Sequence, residues 1–404
     1  MSKMINEKYR EMFGNLDPSD FESYVTVAVR LGSSDIHFEP MPVELRVRAR
    51  VEGVLHELAR ISHPPGKKKP HPLVVQIKAR SNLNLQSRTP EDGRFDMIID
   101  GKELSLRVAA MPQVFGEKLV VRIFDVGRIA TLKGLGFRDI NLERMKTIVD
   151  QKSGIVLVTG PTGSGKTTTL YSILNYLNDA GKNLVTVEDP VEYYFYGINQ
   201  VQVEAGGVTF DTALRSLLRH DPDIIMVGEI RDRITAELAF HAAITGHLVL
   251  STVHARDAIS AFTRLVDLDV PSVVMSQAVN GVIAQRLVPR LCSQCAAARP
   301  HPPLEEVPTH EAVGCPACLN AGFHQRQGVQ EVLLLNDNLR KLLVEQVDEE
   351  EFRMLALKSG METMKEDAIF KSIQGLVDYR DAMGLTDEPL HRISADIRRM
   401  MADL

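Results

Sequence analysis

Four short runs in the middle of the chain are almost wholly apolar: Ile155-Val156-Leu157-Val158, Leu184-Val185-Thr186-Val187, Ile224-Ile225-Met226-Val227 and Leu248-Val249-Leu250-Ser251. Longer stretches with helical spacing separate them. Continuous apolar runs of this length suit strands buried on both faces, as in a parallel sheet covered by helices. The N-terminal pattern differs. Phe21 to Leu31 is amphipathic at helical spacing, Glu44 to Val51 alternates polar and apolar, and Leu73 to Leu85 reads as a second helix. Arg94 to Ile99 and Leu104 to Val108 flank Asp100-Gly101, a two-residue hairpin signal, and Lys118 to Phe124 reads as a further strand. Residues 1–125 therefore read as an α+β domain, 126–135 as a linker and 136–290 as an α/β core. A cysteine-punctuated insert follows at 291–325, then a C-terminal helical region at 326–404, whose helical, charged pattern begins at about Asn336. The stretch 62–72, SHPPGKKKPHP, reads as a surface loop, because proline removes donors and the lysines need water.

The chain has 404 residues, enough for two or three domains, and its 44% hydrophobic and 25% charged content is that of a globular protein. A net charge of −6 excludes a globally basic nucleic-acid binder, and aromatics at 5% with no tryptophan leave few stacking platforms. No run of about 18 apolar residues occurs, and the charged N-terminus has no apolar signal core. The expectation is a cytoplasmic protein.

Gly160-Pro161-Thr162-Gly163-Ser164-Gly165-Lys166-Thr167 fits G-x-x-x-x-G-K-[ST], between a strand-like run and the helical run from Thr168 to Leu177. Glycines let backbone N–H groups wrap phosphates, and the following helix N-terminus adds a positive dipole. Lys166 would reach the β- and γ-phosphates, and the Thr167 hydroxyl would hold Mg²⁺. Such a site needs a carboxylate on a neighbouring strand end. Glu229 follows the third run, and Glu188-Asp189-Pro190-Val191-Glu192 closes the second. For Glu188 and Asp189 a turn before proline is the other reading, and for Glu229 an ion pair. His247 and His254 flank the fourth run; either a phosphate contact or a structural role suits them.

Cys292 and Cys295, then Cys315 and Cys318, make two C-x₂-C pairs separated by 19 residues, and the chain has no other cysteine. That spacing suits a closed, four-thiolate structural Zn²⁺ site, with free thiols or a redox pair as the alternatives. His301, His310 and His324 are surplus to it and read as loop residues.

Together these segments resemble the secretion ATPase superfamily, specifically the assembly motors of type II secretion and type IV pili. GPTGSGKTTTL, TVEDPVE, LRSLLRHDPDIIMVGEIRD and TGHLVLSTVHARDA occur in that family's order. SSDIHFEP, PEDGRFD and RVAAMPQVFGEKLVVRIF resemble its N-terminal domain. The resemblance implies a RecA-like ATPase domain preceded by a PAS-like α+β domain. It further implies a homo-hexamer at the cytoplasmic side of the inner membrane, acting through a platform protein and other secretion or pilus components. ATP, Mg²⁺ and Zn²⁺ are the implied cofactors, with Thr168 completing the nucleotide loop. Glu188 would be the general base and Glu229 the Mg²⁺-site carboxylate. His254 and His247 would form a histidine box. Arg94 and Arg107 would reach phosphates across a subunit interface, and Arg215 and Arg219 would lie near the acidic strand. Retraction motors of the superfamily lack the tetracysteine module, so assembly is favoured over retraction. A nucleic-acid translocase and a non-hydrolysing switch are the readings from other classes. Larger members carry a further N-terminal domain that this length does not hold in full. The first 25 residues read as its remnant or as a leader helix, and the 62–72 loop has no counterpart.

Overall fold

A computed structural model describes residues 17–51, 53–62, 70–87, 89–125, 131–203, 207–302, 304, 307–318, 320–345 and 347–386. The chain forms two compact units, Met1–Arg128 and Ile129–Leu404.

In the first unit, α1 (Phe21–Arg30) begins where Asp20 caps the N–H groups of Glu22 and Ser23. Then come β1 (Asp35–Pro40), β2 (Glu44–Val51), β3 (Val54–Ser62), α2 (Pro72–Arg80), β4 (Glu91–Ile99), β5 (Lys102–Gln113) and β6 (Gly116–Asp125). The strands form one antiparallel sheet in the order β3-β2-β1-β6-β5-β4. One face, with Ile36, Phe38, Val47, Leu106 and Val121, packs against Phe21 and Tyr24 of α1 and Leu73 and Ile77 of α2. Alternation sends the polar positions to the other face. Asp100 and Gly101 take φ of 50° and 75°, the left-handed pair a tight hairpin requires.

Two expectations need correction here. The second helix stops at Arg80 rather than Leu85, because Asn82 turns left-handed (φ 55°) and Leu83 N–H closes on the Lys78 carbonyl at 2.9 Å. Phe21, Tyr24 and Val25 belong to the sheet's own core, so the segment read as remnant or leader helix is part of this unit from residue 21 onward. Residues 1–16 and 63–69, with most of the proline-lysine loop, lie outside the described residues.

The second unit opens with a 3₁₀ turn at Leu132–Leu135 that buries Leu132, so the expected linker gives way to packed structure before its end. Its elements are α3 (Asp139–Val149), β7 (Gly154–Thr159), α4 (Lys166–Leu177), β8 (Leu184–Glu188), β9 (Ile198–Gln202), α5 (Phe210–Leu217), β10 (Ile224–Val227), α6 (Arg233–Ile244), β11 (Leu248–Val253), α7 (Ser260–Asp267), α8 (Ser272–Ala278) and β12 (Val279–Leu291). They continue with β13 (Ala297–Pro300), β14 (Pro308–Glu311), β15 (Phe323–Leu334), α9 (Asp337–Glu345), α10 (Glu349–Lys358), α11 (Met364–Ile373) and α12 (Tyr379–Met383). The main sheet runs β15-β12-β7-β11-β10-β8-β9, parallel except for β15. Both faces are covered: Ile155 and Leu157 pack with Phe240 and Ala278, while Val156 and Val158 pack with Met145, Leu170 and Ile173. The continuous apolar runs are thereby accounted for. Residues 326–334, the start of the region bounded at 326, are strand, because they pair with β12 from Pro289 back to Gly281, and the helical pattern read from about Asn336 begins with α9. His310 and His324, expected in loops, lie on β14 and β15. No helix among the described residues is long and apolar enough to cross a membrane.

Candidate nucleotide site and cysteine cluster

Parallel registers align the strand ends. Thr159 of β7 sits beside Val253 of β11, Ser251 beside Val227 of β10, and Val227 beside Val187 of β8. The segments leaving these strands therefore share one edge of the sheet: the loop 160–165, His254, Gly228-Glu229, and Glu188.

The glycine loop folds as its sequence requires. Gly160, Gly163 and Gly165 take φ of 147°, 78° and 88°, and a Cβ at Gly160 would lie 2.4 Å from the Gln285 carbonyl oxygen. Gly165 caps α4, whose first N–H groups have no partner within the helix. The Lys166 ammonium crosses the loop, donating to the carbonyls of Gly160 (2.8 Å) and Pro161 (3.1 Å), and burial holds its pKa below the ordinary lysine value. Pro161, Thr162, Thr167 and Thr168 are exposed, whereas Ser164 is buried.

Glu229 is half-buried, abutted by Arg231, with the His254 ring nitrogen Nε2 at 3.5 Å. Arg231 also lies 3.5 Å from Asp189. Thr252 Oγ1 donates to the Gly228 carbonyl at 2.9 Å and Ile230 N–H to the Thr252 carbonyl at 2.9 Å, which fixes the Glu229 turn. Burial, then the charges of Lys166, Arg231 and Arg264, keeps the His254 pKa below the ordinary histidine value. Thr159 Oγ1 ties this loop to β7, donating to the Ala255 carbonyl at 3.1 Å and accepting from its N–H at 2.9 Å.

Glu188 is 3% exposed and accepts hydrogen bonds from Tyr171, from Thr186 (2.6 Å) and from Gln200 (3.1 Å). A carboxylate has about four lone-pair positions, so these donors leave one open. Burial, then the Glu188 charge, raises the Tyr171 pKa and keeps the phenol a donor. Tyr171, Thr186 and Gln200 escaped the sequence reading. Thr186 carried a signal, a polar group in an otherwise apolar strand run, whereas nothing in the sequence marked Gln200 on the polar strand β9.

The histidine pair does not converge. His247 precedes β11 and His254 follows it, so a six-residue strand, roughly 20 Å, separates them. His247 sits beside the start of β7, where its carbonyl accepts from Gly154 N–H at 3.1 Å and its Nδ1 lies 2.9 Å from the Ala242 carbonyl. Within one chain it lies at the opposite sheet edge from the glycine loop, so the two histidines do not meet there. Arg215, in the last turn of α5, and Arg219 just beyond it are exposed, and Arg219 donates to the Arg215 carbonyl at 2.8 Å. Next to Arg219, the His220 and Asp221 carbonyls bond Asn183 at the start of β8, the edge opposite Glu188. Arg219 therefore lies by β8 but not by its acidic end.

On the first unit, Arg94 and Arg107 face each other across β4 and β5, and Arg107 faces Arg122 on β6. Asp35 and Arg50 extend the same row across β1 and β2. Asp35 takes a 3.0 Å hydrogen bond from Arg122, and Arg94 donates to Ser105 at 2.7 Å. This polar row stands on the face away from the unit's core.

The thiols of Cys292, Cys295, Cys315 and Cys318 lie within 4.8 Å of one another, with Cys292–Cys315, Cys295–Cys318 and Cys315–Cys318 separations of 3.9, 3.7 and 3.8 Å. Tetrahedral Zn–S bonds of about 2.3 Å require sulfurs about 3.8 Å apart, so the donor set fits Zn²⁺. Burial works to raise the Cys318 thiol pKa, but N–H donation from Cys315 and Gly322 lowers it, while burial and the neighbouring thiols push Cys295 the other way.

Residues 18–384 match the family described as type II/IV secretion system protein. The type II secretion system protein HxcR of Pseudomonas aeruginosa is 44% identical over 347 residues, 85% of this chain and 71% of that one. The type IV pilus assembly ATPase PilB of Myxococcus xanthus is 39% identical over 376 residues, 89% of this chain and 66% of that one. Among solved structures, the pilus retraction motor PilT with bound ADP is similar with a TM-score of 0.66 at 27% identity, covering 92% of this chain and 98% of that one.

Proposed function

This chain is an ATPase of the type II/IV secretion system protein family, and we propose that it works as a Mg-dependent hexameric motor powering pilus or pseudopilus assembly, or type II secretion. The observation that carries this reading is the alignment of strand ends that brings the glycine loop, His254, Glu229 and Glu188 to one sheet edge. The loop N–H groups and Lys166 would hold the triphosphate, and His254, kept neutral, would meet the γ-phosphate as a hydrogen-bonding group. The open position on Glu188 would take the proton of the attacking water. Mg²⁺, for which Thr167 and Glu229 are the candidate ligands, would neutralise charge developing on the phosphates. Arg94 and Arg107 would supply positive charge from a neighbouring subunit, as would Arg215 and Arg219 from their exposed positions.

Zn²⁺ on the four thiolates would be structural, since a closed site leaves no position for water. The thiol cluster also favours assembly or secretion over retraction. The partners would be further copies of this chain, an inner-membrane platform protein and other secretion or pilus components, met at the cytoplasmic side of the inner membrane.

The test is phosphate release from MgATP by the assembled protein. Lys166→Ala should lose turnover by roughly a hundredfold together with nucleotide affinity. Glu188→Gln should keep ATP bound but unhydrolysed. Binding without turnover in the parent would favour a nucleotide switch, and salt-sensitive stimulation by DNA would favour a translocase.

A further inference from the structure

We propose that Gln285 is a positioning residue that clasps the glycine loop from the neighbouring strand, an inference that rests on the nucleotide reading of that loop. Gln285 lies on β12, is 3% exposed and directly follows the buried apolar run Val282-Ile283-Ala284. A primary amide in such a place is costly to bury unless its donor and acceptor are both used. Both are spent on the site. Its Nε2 donates to the Ser164 carbonyl at 2.7 Å, and its Oε1 accepts from the Thr169 hydroxyl in the first turns of α4, also at 2.7 Å. The amide orientation follows from the chemistry, because a carbonyl can only accept. The backbone joins in: the Gln285 carbonyl oxygen closes the space where a side chain at Gly160 would stand.

One residue thus touches the loop at its start, near its end and through the helix that follows. The consequence is preorganisation. The loop has to hold a conformation with several residues at positive φ so that its N–H groups converge. The clasp fixes the Ser164 peptide, which directs the next N–H, that of Gly165, toward the phosphates. Asparagine would be one methylene too short to reach both partners. Glutamate, of the same shape, would set a carboxylate oxygen against the Ser164 carbonyl.

The experiment measures ADP binding and steady-state MgATP kinetics on the full chain. Gln285→Glu should raise the ADP Kd and the ATP KM about tenfold or more, with kcat changed less than about threefold. Thr169→Val, nearly isosteric, removes only one arm and should raise both a few-fold. The double variant should bind ADP no more weakly than Gln285→Glu alone, since both act through one clasp. ADP affinity within twofold of the parent in either folded single variant, or a loss confined to kcat, overturns the proposal. A parent that fails to bind ADP would instead overturn the nucleotide reading of the loop.

Discussion

Glu39 illustrates how single residues prepare the polar face of the first unit. It is 4% exposed on β1, yet takes hydrogen bonds from Arg46 at 3.0 Å and Arg48 at 2.7 Å, with Lys118 at 3.2 Å. Burial alone would push its pKa up; hydrogen bonds from Arg48 and Lys118 outweigh that and hold it at about 2. Because the folded value lies below the unfolded one of about 4.3, this carboxylate adds stability above that pH, and the contribution is lost as pH falls toward 2. Glu39→Gln should therefore lower the unfolding free energy at pH 7 by about 3 kcal/mol at most. The difference should shrink to nothing between about pH 4.3 and pH 2. Denaturant titrations of both proteins across that range check it. The sequence showed Glu39 only as one residue of SSDIHFEP. Its three cations come from strands that alternation predicts but does not pair.

At the scale of elements, β12 links two features that read as separate in the sequence. Its Gln285 reaches the glycine loop, and its last residue, Leu291, precedes the first cysteine of the tetracysteine cluster. Cys315 and Cys318 approach the other pair just before β15, the strand that runs back alongside β12. Four thiolates on one Zn²⁺ would pin the open end of this strand pair. Cys315→Ser should reduce bound zinc from about one per chain to near none and lower the thermal midpoint by several degrees. Metal analysis alongside calorimetry tests this, and a parent protein that purifies without zinc would contradict it. The strand at 326–334, inside a C-terminal region that is helical from Asp337, has the same origin. A short apolar stretch has no decisive period, and only pairing with a distant strand settled its form.

For the whole molecule, the question is where the compensating positive charge comes from. Arg94, Arg107 and Arg122 form a cross-strand row on the first unit, with Asp35 and Arg50 completing the line. Asp35 offsets the charge of Arg122 at 3.0 Å, and an anion meeting the row would further offset the cost of like charges opposite one another. If that anion is a neighbouring subunit's nucleotide, specific ATPase activity should climb with protein concentration as rings form. Arg107→Ala should abolish that climb while leaving ADP affinity within a few-fold. Hydrolysis assays beside sedimentation velocity measure both, and full activity in the monomer would exclude a contribution in trans.

Local chemistry was legible from the residues themselves. Gly160 to Thr167 reads as a phosphate loop because its glycines and lysine lie within a few residues of one another, and each C-x₂-C pair reads as a metal knuckle for the same reason. The apolar runs specified buried parallel strands, since burial on both faces leaves no room for polar alternation. The fold alone decided what depends on contact between distant segments. It gave Glu188 its donors, set Gln285 under the loop, drew the arginines into a row and sent His247 to the far end of its strand. These outcomes follow from strand order and register, which the burial pattern of any one strand does not contain.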